Sequence, residues 1–449
     1  MLSWEQMHRC PERTRGEVEN VKNNSVDPWL RTEGDINFTE QRRAWQEAHL
    51  DASTKDQLAQ DARWFMHQSL STPCINVLSG CDGIYLVDGQ GRRIMDFHGN
   101  SVHQVGYSHP RVMEAIRTQL ETLSFCPRRF TNGPAVDLAE KLASLAPGSL
   151  NKVLLSPGGT SAIGIAMKIA RYVTGRHKTI SMWNSFHGAS LDAISIGGEA
   201  LFRDGLEPLL PGCFHVPWPK SESDADDVER ILREEQDVGA VIAEPMRCTT
   251  LERPEDAYWQ RVRELCDDHG ALLIFDEIPL ALGRTGTMFC CEQFDVTPDL
   301  LVIGKGLGGA IMPLAATLIR EDLDILQHRA LGHYTHEKSP VACAAALATL
   351  NVIEEEGLLE QSRTLGQEAL QTMQAIQQRH SVVTDVRGLG LALAMEVETD
   401  RAEAILYRCL SNGLSFKISS GNVLTLTPPL TITREQLADA FAIIESALV

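Results

Sequence analysis

From residue 150 onward the chain alternates short apolar runs with amphipathic stretches, and that alternation constrains its fold more than any other feature. Runs at 152–155, 179–183, 213–217, 240–244, 272–276, 300–304 and 315–319 read as strands. Most are apolar on every residue, as strands covered by helices on both faces must be. After the first run, residues 161–173 place Ile163, Met167 and Ala170 on one stripe at helical spacing. The expectation is an α/β protein with a mostly parallel sheet of seven strands. Near Ser339 the rhythm changes to two helical stretches, 340–356 and 359–379, followed by strand-like runs at 391–397 and 423–427. This predicts a smaller α+β domain. With 449 residues, the division expected is an N-terminal arm with part of the small domain over 1–105, a large domain over 106–339 and a C-terminal small domain over 340–449. The arm is polar and helix-forming around 39–70.

Charge narrows the partners. Lys and Arg total 41 against 60 Asp and Glu, a net −19, with no block of like charge, which argues against nucleic acid. The low-charge stretch 300–319 is interrupted by Lys305 and Pro313, so no membrane span is expected. The first 20 residues lack the apolar core of an export signal, and the eleven cysteines contain no C-x-x-C pair. A reducing cytoplasm, no disulfide framework and no metal site are therefore expected.

Three local features carry chemistry. Residues 156–161, Ser-Pro-Gly-Gly-Thr-Ser, join a strand to a helix. Free N–H groups at a helix start suit a phosphate, although a tight turn with an N-cap has the same appearance. The spacing is neither that of a dinucleotide fingerprint nor that of a P-loop. Asp276 ends the apolar run 272–275, where a carboxylate needs a cation or strong donor unless it merely caps the strand end. Lys305 is the one charge in the run 301–310; desolvation favours the neutral amine a Schiff base requires, the alternative being a structural lysine with a buried stem. Phosphate turn, buried carboxylate and desolvated lysine are together the parts that pyridoxal 5′-phosphate needs.

With Gly80–Asp88, Val105–Pro110, Phe275–Glu277, Gly283–Gly286 and Ile303–Gly309 read in order, the chain resembles the class III aminotransferases of fold type I over roughly residues 75–449. The resemblance implies pyridoxal 5′-phosphate as cofactor, with Lys305 as the Schiff-base lysine and Asp276 as the partner of the pyridinium nitrogen. Gly159 and Thr160 form the phosphate turn, Phe186 stacks on the ring beside His187, and Thr335 reaches the phosphate of a second subunit in a homodimer. Glu244 matches the family's Glu-Pro pair, and Arg387 the arginine that often receives a substrate carboxylate.

The departures from the family pattern direct the choice of reaction. Thr335–Pro340 reads Thr-His-Glu-Lys-Ser-Pro, Arg247 stands where glutamine is usual, Ile278–Ala281 replaces Val-Gln-Thr-Gly, and Ser161 replaces a glutamate. Together with Glu33–Asn37 and Pro127–Asn132, these resemble a lyase branch that releases ammonia from a small aminophosphonate bearing an amine on C2 and a hydroxyl on C1. Such a dianion implies cations in the outer pocket, for which Arg128, Arg129, Arg247 and Arg387 are candidates, unless Glu244 and Arg387 pair with each other. An ω-aminotransferase, a phospho-lyase acting on phosphoethanolamine-like esters, and a binding-only protein are the alternatives.

Overall fold

The computed structural model describes residues 39–449; residues 33–37, which contribute to the resemblance, lie outside that range. The described residues open with α1 (Glu40–His49) and α2 (Ala52–Trp64), started by Thr39 and Asp51, whose side chains accept from the Arg42 and Thr54 backbone N–H groups. Strands β1 (Leu78–Asp82), β2 (Tyr85–Asp88) and β3 (Arg93–Asp96) then form an antiparallel sheet. Helices α3 (Pro110–Thr122) and α4 (Gly133–Leu145) lead into the main sheet.

That sheet uses all seven predicted runs. They are β4 (Lys152–Ser156), β5 (Lys178–Met182), β6 (Cys213–Val216), β7 (Val238–Ala243), β8 (Leu272–Asp276), β9 (Leu300–Ile303) and β10 (Ala315–Ile319). Their spatial order is β4-β10-β9-β8-β7-β5-β6, parallel from β9 to β6, with β10 antiparallel to both its neighbours. Strands β7, β8, β9 and β10 are buried at every residue, which explains their unbroken apolar sequence. Helix α5 (Gly159–Thr174) packs on one face and ends at Gly175, whose left-handed φ of 66° closes the helix. Short helices α6 (Leu191–Ile196) and α7 (Ala200–Arg203) follow β5, while α8 (Ala225–Glu235) and α9 (Asp256–His269) flank β7.

The C-terminal region contains α10 (Pro340–Glu355), α11 (Leu358–Arg379), β11 (Val383–Leu389), β12 (Ala392–Val397), α12 (Thr399–Ser411), β13 (Leu414–Ser415), β14 (Lys417–Ser419), β15 (Val423–Leu426) and α13 (Arg434–Ala447). A third sheet runs β11-β12-β15-β14, whereas β13 pairs in parallel with β3, joining sequence from both ends of the chain. Among the described residues no helix is long and apolar enough to cross a membrane.

Candidate active site

The site is built where β8 and β9 end. Asp276 closes β8 with Val302 of β9 as its registered neighbour, and its side chain is only 2 % exposed. Its Oδ1 accepts from the Ile278 backbone N–H at 3.1 Å, and its Oδ2 lies 2.8 Å from Nδ1 of buried His187. The donor partner that the sequence demanded for Asp276 is thus His187. The other imidazole nitrogen, Nε2, lies 3.4 Å from the Ser181 hydroxyl, which in turn sits 3.1 Å from Ser185 Oγ. This network assigns the proton to Nδ1, so that Asp276 accepts and the ring cannot rotate freely.

Gly159 and Thr160 open α5 behind an extended Gly158, so the free N–H groups of the first turn face the end of the sheet. A Cβ on Gly159 would stand 2.6 Å from Ile278 Cδ1, and one on Gly188 (φ 128°) would stand 2.5 Å from Thr160 Oγ1. Gly188 is required by its positive φ and its contact with Thr160, whereas a larger residue at 159 would have to displace Ile278. Half-buried Phe186 donates its backbone N–H to Glu244 Oε1 at 3.2 Å, and its ring centroid lies 4.5 Å from that of Phe202.

Lys305 follows β9 through Gly304 and has a left-handed φ of 43°, a conformation that costs a non-glycine residue about 1–3 kcal/mol. Among the described residues its side chain has no hydrogen-bond or ion-pair partner. A Cβ on Gly306 would crowd the Gln104 amide, so a larger residue there would have to displace that side chain. Gln104 is buried with neither amide atom bonded, a neighbour of the lysine that sequence reading missed. His98 was missed as well. Enclosure pushes its imidazole down to about 4 against the pull of Asp96, with Lys417, His103 and Lys305 adding to the fall. Burial likewise pushes the Cys248 thiol up to about 12, and Glu244 adds to the rise while Arg247 and Lys305 oppose it.

The four candidate arginines differ in their surroundings. Arg247 is buried and bonded to both Glu244 and Glu199, so its charge is already answered. Burial opposes ionisation of Glu244, but Arg247, His187 and the Cys248 N–H outweigh it and hold the carboxyl below its ordinary range. Arg387 pairs with Asp385 and Glu396 and donates through Nε to the Thr250 carbonyl at 2.8 Å, not to Glu244. Arg128 is exposed, with Nη2 2.7 Å from His333 Nε2, and Arg129 is exposed beside it. Within the chain, then, Arg247 and Arg387 are ion-paired to carboxylates, while Arg128 and Arg129 are exposed. Thr335 is exposed in the loop before α10.

The residues present fit pyridoxal 5′-phosphate. A helix start with free N–H groups suits its phosphate, a buried carboxylate with an unused lone pair suits its ring nitrogen, and an unpaired lysine suits its aldehyde.

Comparison with known proteins agrees. The family model "Aminotransferase class-III" matches residues 67–448. The chain is 44 % identical over 455 aligned residues to the (R)-1-hydroxy-2-aminoethylphosphonate ammonia-lyase of Vibrio splendidus (strain 12B01), covering 93 % of this chain and 95 % of the relative. It is 37 % identical to an acetylornithine aminotransferase of Methanopyrus kandleri, covering 81 % and 94 %. Among solved structures it superposes, with a TM-score of 0.79 and 30 % identity, on an amine transaminase from an uncultivated Pseudomonas species in its PLP-bound form, covering 86 % and 98 %. The chain belongs to the class III aminotransferase family and is an enzyme that uses pyridoxal 5′-phosphate.

Proposed function

We propose that the enzyme is an ammonia-lyase that converts (R)-1-hydroxy-2-aminoethylphosphonate into phosphonoacetaldehyde and ammonia. The observation that carries this reading is the 44 % identity, along nearly the whole of both chains, to a lyase of that name, against 37 % to an aminotransferase.

In this reading Lys305 holds the cofactor and, once the substrate amine replaces it, takes a proton from C2 with its free amine. Bound pyridoxal phosphate supplies a sink for the electron pair released at C2. Asp276, held by His187 and the Ile278 N–H, keeps the ring nitrogen protonated. Gly159 and Thr160 bind the phosphate, and Phe186, positioned by Glu244, lies against the ring. Hydroxide is a poor leaving group, so the C1 oxygen must gain a proton as it departs, and in this reading the protonated Lys305 returns the one it took. Released product then tautomerises and hydrolyses in water. Exposed Thr335 reaches the phosphate of a second copy in a homodimer. The ten described cysteines are all free, which suits a reducing cytoplasm.

The aminotransferase reading has its own support in the transaminase relatives and structures. The two differ in nitrogen balance. The holoenzyme given the aminophosphonate alone should release ammonia and aldehyde in equal amounts over many turnovers. Dependence on an added keto acid, or build-up of pyridoxamine phosphate, would overturn the lyase reading, and phosphate release from phosphoethanolamine would favour the phospho-lyase.

A further inference from the structure

The loop after β3 contains a strained run of backbone. Gly99, Asn100 and Ser101 have φ of 46°, 46° and 59° in succession, a complete left-handed turn. Residues with a side chain visit that region singly and at a cost, so a run of this kind persists only where its surroundings fix it. They do so here through Asp96, whose Oδ1 accepts from the His98 N–H at 2.9 Å and whose Oδ2 accepts from the Gly99 N–H at 3.0 Å and the Tyr107 hydroxyl at 2.6 Å. Phe97 is pinned as well: its N–H donates to the Ser415 carbonyl at 2.8 Å, and its carbonyl accepts from the Thr427 N–H at 2.7 Å.

The strained turn stands against the lysine. Residues 99–101 pack on the turn 305–308, and from the same loop the buried amide of Gln104 lies on Gly306. His98 heads the left-handed turn. Its backbone N–H is held by Asp96 and its carbonyl accepts from the Ser101 N–H at 2.9 Å, yet its half-buried imidazole makes no hydrogen bond among the described residues. The charged and titratable groups around that ring are Asp96, His103, Lys305 and Lys417, and enclosure outweighs the pull of Asp96, so the imidazole is neutral at pH 7 with one N–H to donate.

We propose that His98, fixed by the left-handed turn that packs on the Lys305 turn, is a specificity-determining residue whose ring N–H donates to the C1 oxygen of the substrate. This rests on the reading of the substrate as a 1-hydroxy aminophosphonate. C1 adjoins the carbon that Lys305 deprotonates, so a group that meets its oxygen has to stand beside the lysine, as this turn does. A neutral imidazole offers one directed donor, which suits an uncharged hydroxyl, whereas a phosphonate dianion calls for a cation. The contact selects substrates that carry the hydroxyl, aligns the C1–O bond with the electron pair freed at C2, and offsets the charge that grows on the oxygen as it departs.

The test compares the wild-type holoenzyme with His98→Ala, His98→Asn and His98→Gln, each checked for an unchanged absorbance spectrum of bound cofactor. Two ligands are used: the hydroxylated aminophosphonate, and 2-aminoethylphosphonate, the same molecule without the hydroxyl, as an inhibitor. In His98→Ala, kcat/KM for the hydroxylated substrate should fall about 10- to 100-fold while the inhibition constant of 2-aminoethylphosphonate moves by less than about 3-fold, and an amide N–H in the Asn or Gln variant should restore part of the loss. Equal weakening of both ligands, or unchanged kinetics, would overturn the assignment of His98 and leave the lyase reading intact. If the wild-type enzyme binds the hydroxylated compound more tightly than 2-aminoethylphosphonate but releases no ammonia, the lyase reading fails, and loss of that preference in His98→Ala keeps the hydroxyl site. A wild-type enzyme with neither ammonia release nor that preference overturns both.

Discussion

His187 Nδ1 and Asp276 Oδ2 lie 2.8 Å apart with both side chains buried, so the loop after β5 is tied to the end of β8 across the intervening strand β7. Asp276→Asn should lower kcat by about 10²–10³, the range for losing one preorganised charge in a water-excluded site. His187→Ala keeps the carboxylate and removes its orientation, so the fall should be smaller. Steady-state ammonia release checks both, and equal losses would assign the charge function to the imidazole as well.

Lys305→Ala removes both the anchor of the cofactor and the base at C2. Turnover should drop by at least about 10²–10⁴, the usual contribution of a positioned acid–base group. The long-wavelength absorbance of covalently held cofactor should vanish even if the cofactor remains in its pocket. Near-normal turnover would remove Lys305 from the mechanism.

The buried cluster of Glu199, Arg247 and Glu244 makes a stability prediction. Arg247→Met leaves Glu244 enclosed without its cation and should cost about 3–5 kcal/mol in urea denaturation at pH 7. Because the folded carboxyl titrates below its ordinary value of 4.5, its contribution is complete above that pH and is lost as pH falls further. The deficit of the variant should therefore shrink in acid.

Three enclosed histidines, buried His103 and half-buried His98 and His215, should lower the stability of the protein at mildly acidic pH. Burial holds His98 and His215 down to about 4 and His103 to about 3, from an ordinary 6.5, so in this interval the unfolded chain binds three protons that the native one refuses. Burial raises Glu277 from 4.5 to about 7, against the donating N–H groups of Cys290 and Cys291, and this works the other way for one proton. The net is 3 − 1 = 2 protons. Stability should fall as pH drops from 6.5 to 4.5, with a slope approaching about 3 kcal/mol per pH unit. Urea midpoints across that interval measure it, and a flat profile would show that these side chains titrate normally.

The sequence by itself determined the seven main strands, because β7 to β10 are buried at every residue and carry unbroken apolar runs, and β4, β5 and β6, half-buried in part, continue the same strand–helix rhythm. Asp276, Lys305 and the Gly159-Thr160 turn were legible for the converse reason: each breaks the local pattern at a strand end or helix start. Strand β1 was not legible, since all five of its residues are exposed and it lacks an alternating pattern, and two-residue β13 is too short to leave one. Only the tertiary structure decided that Asp276 meets His187, that Arg247 is held by two glutamates, and that Arg387 turns to Asp385 and Glu396. In the sequence these arginines look alike. Which charge remains free depends on the partners that strand order and loop packing bring within a few ångströms, and spacing along the chain does not encode that distance.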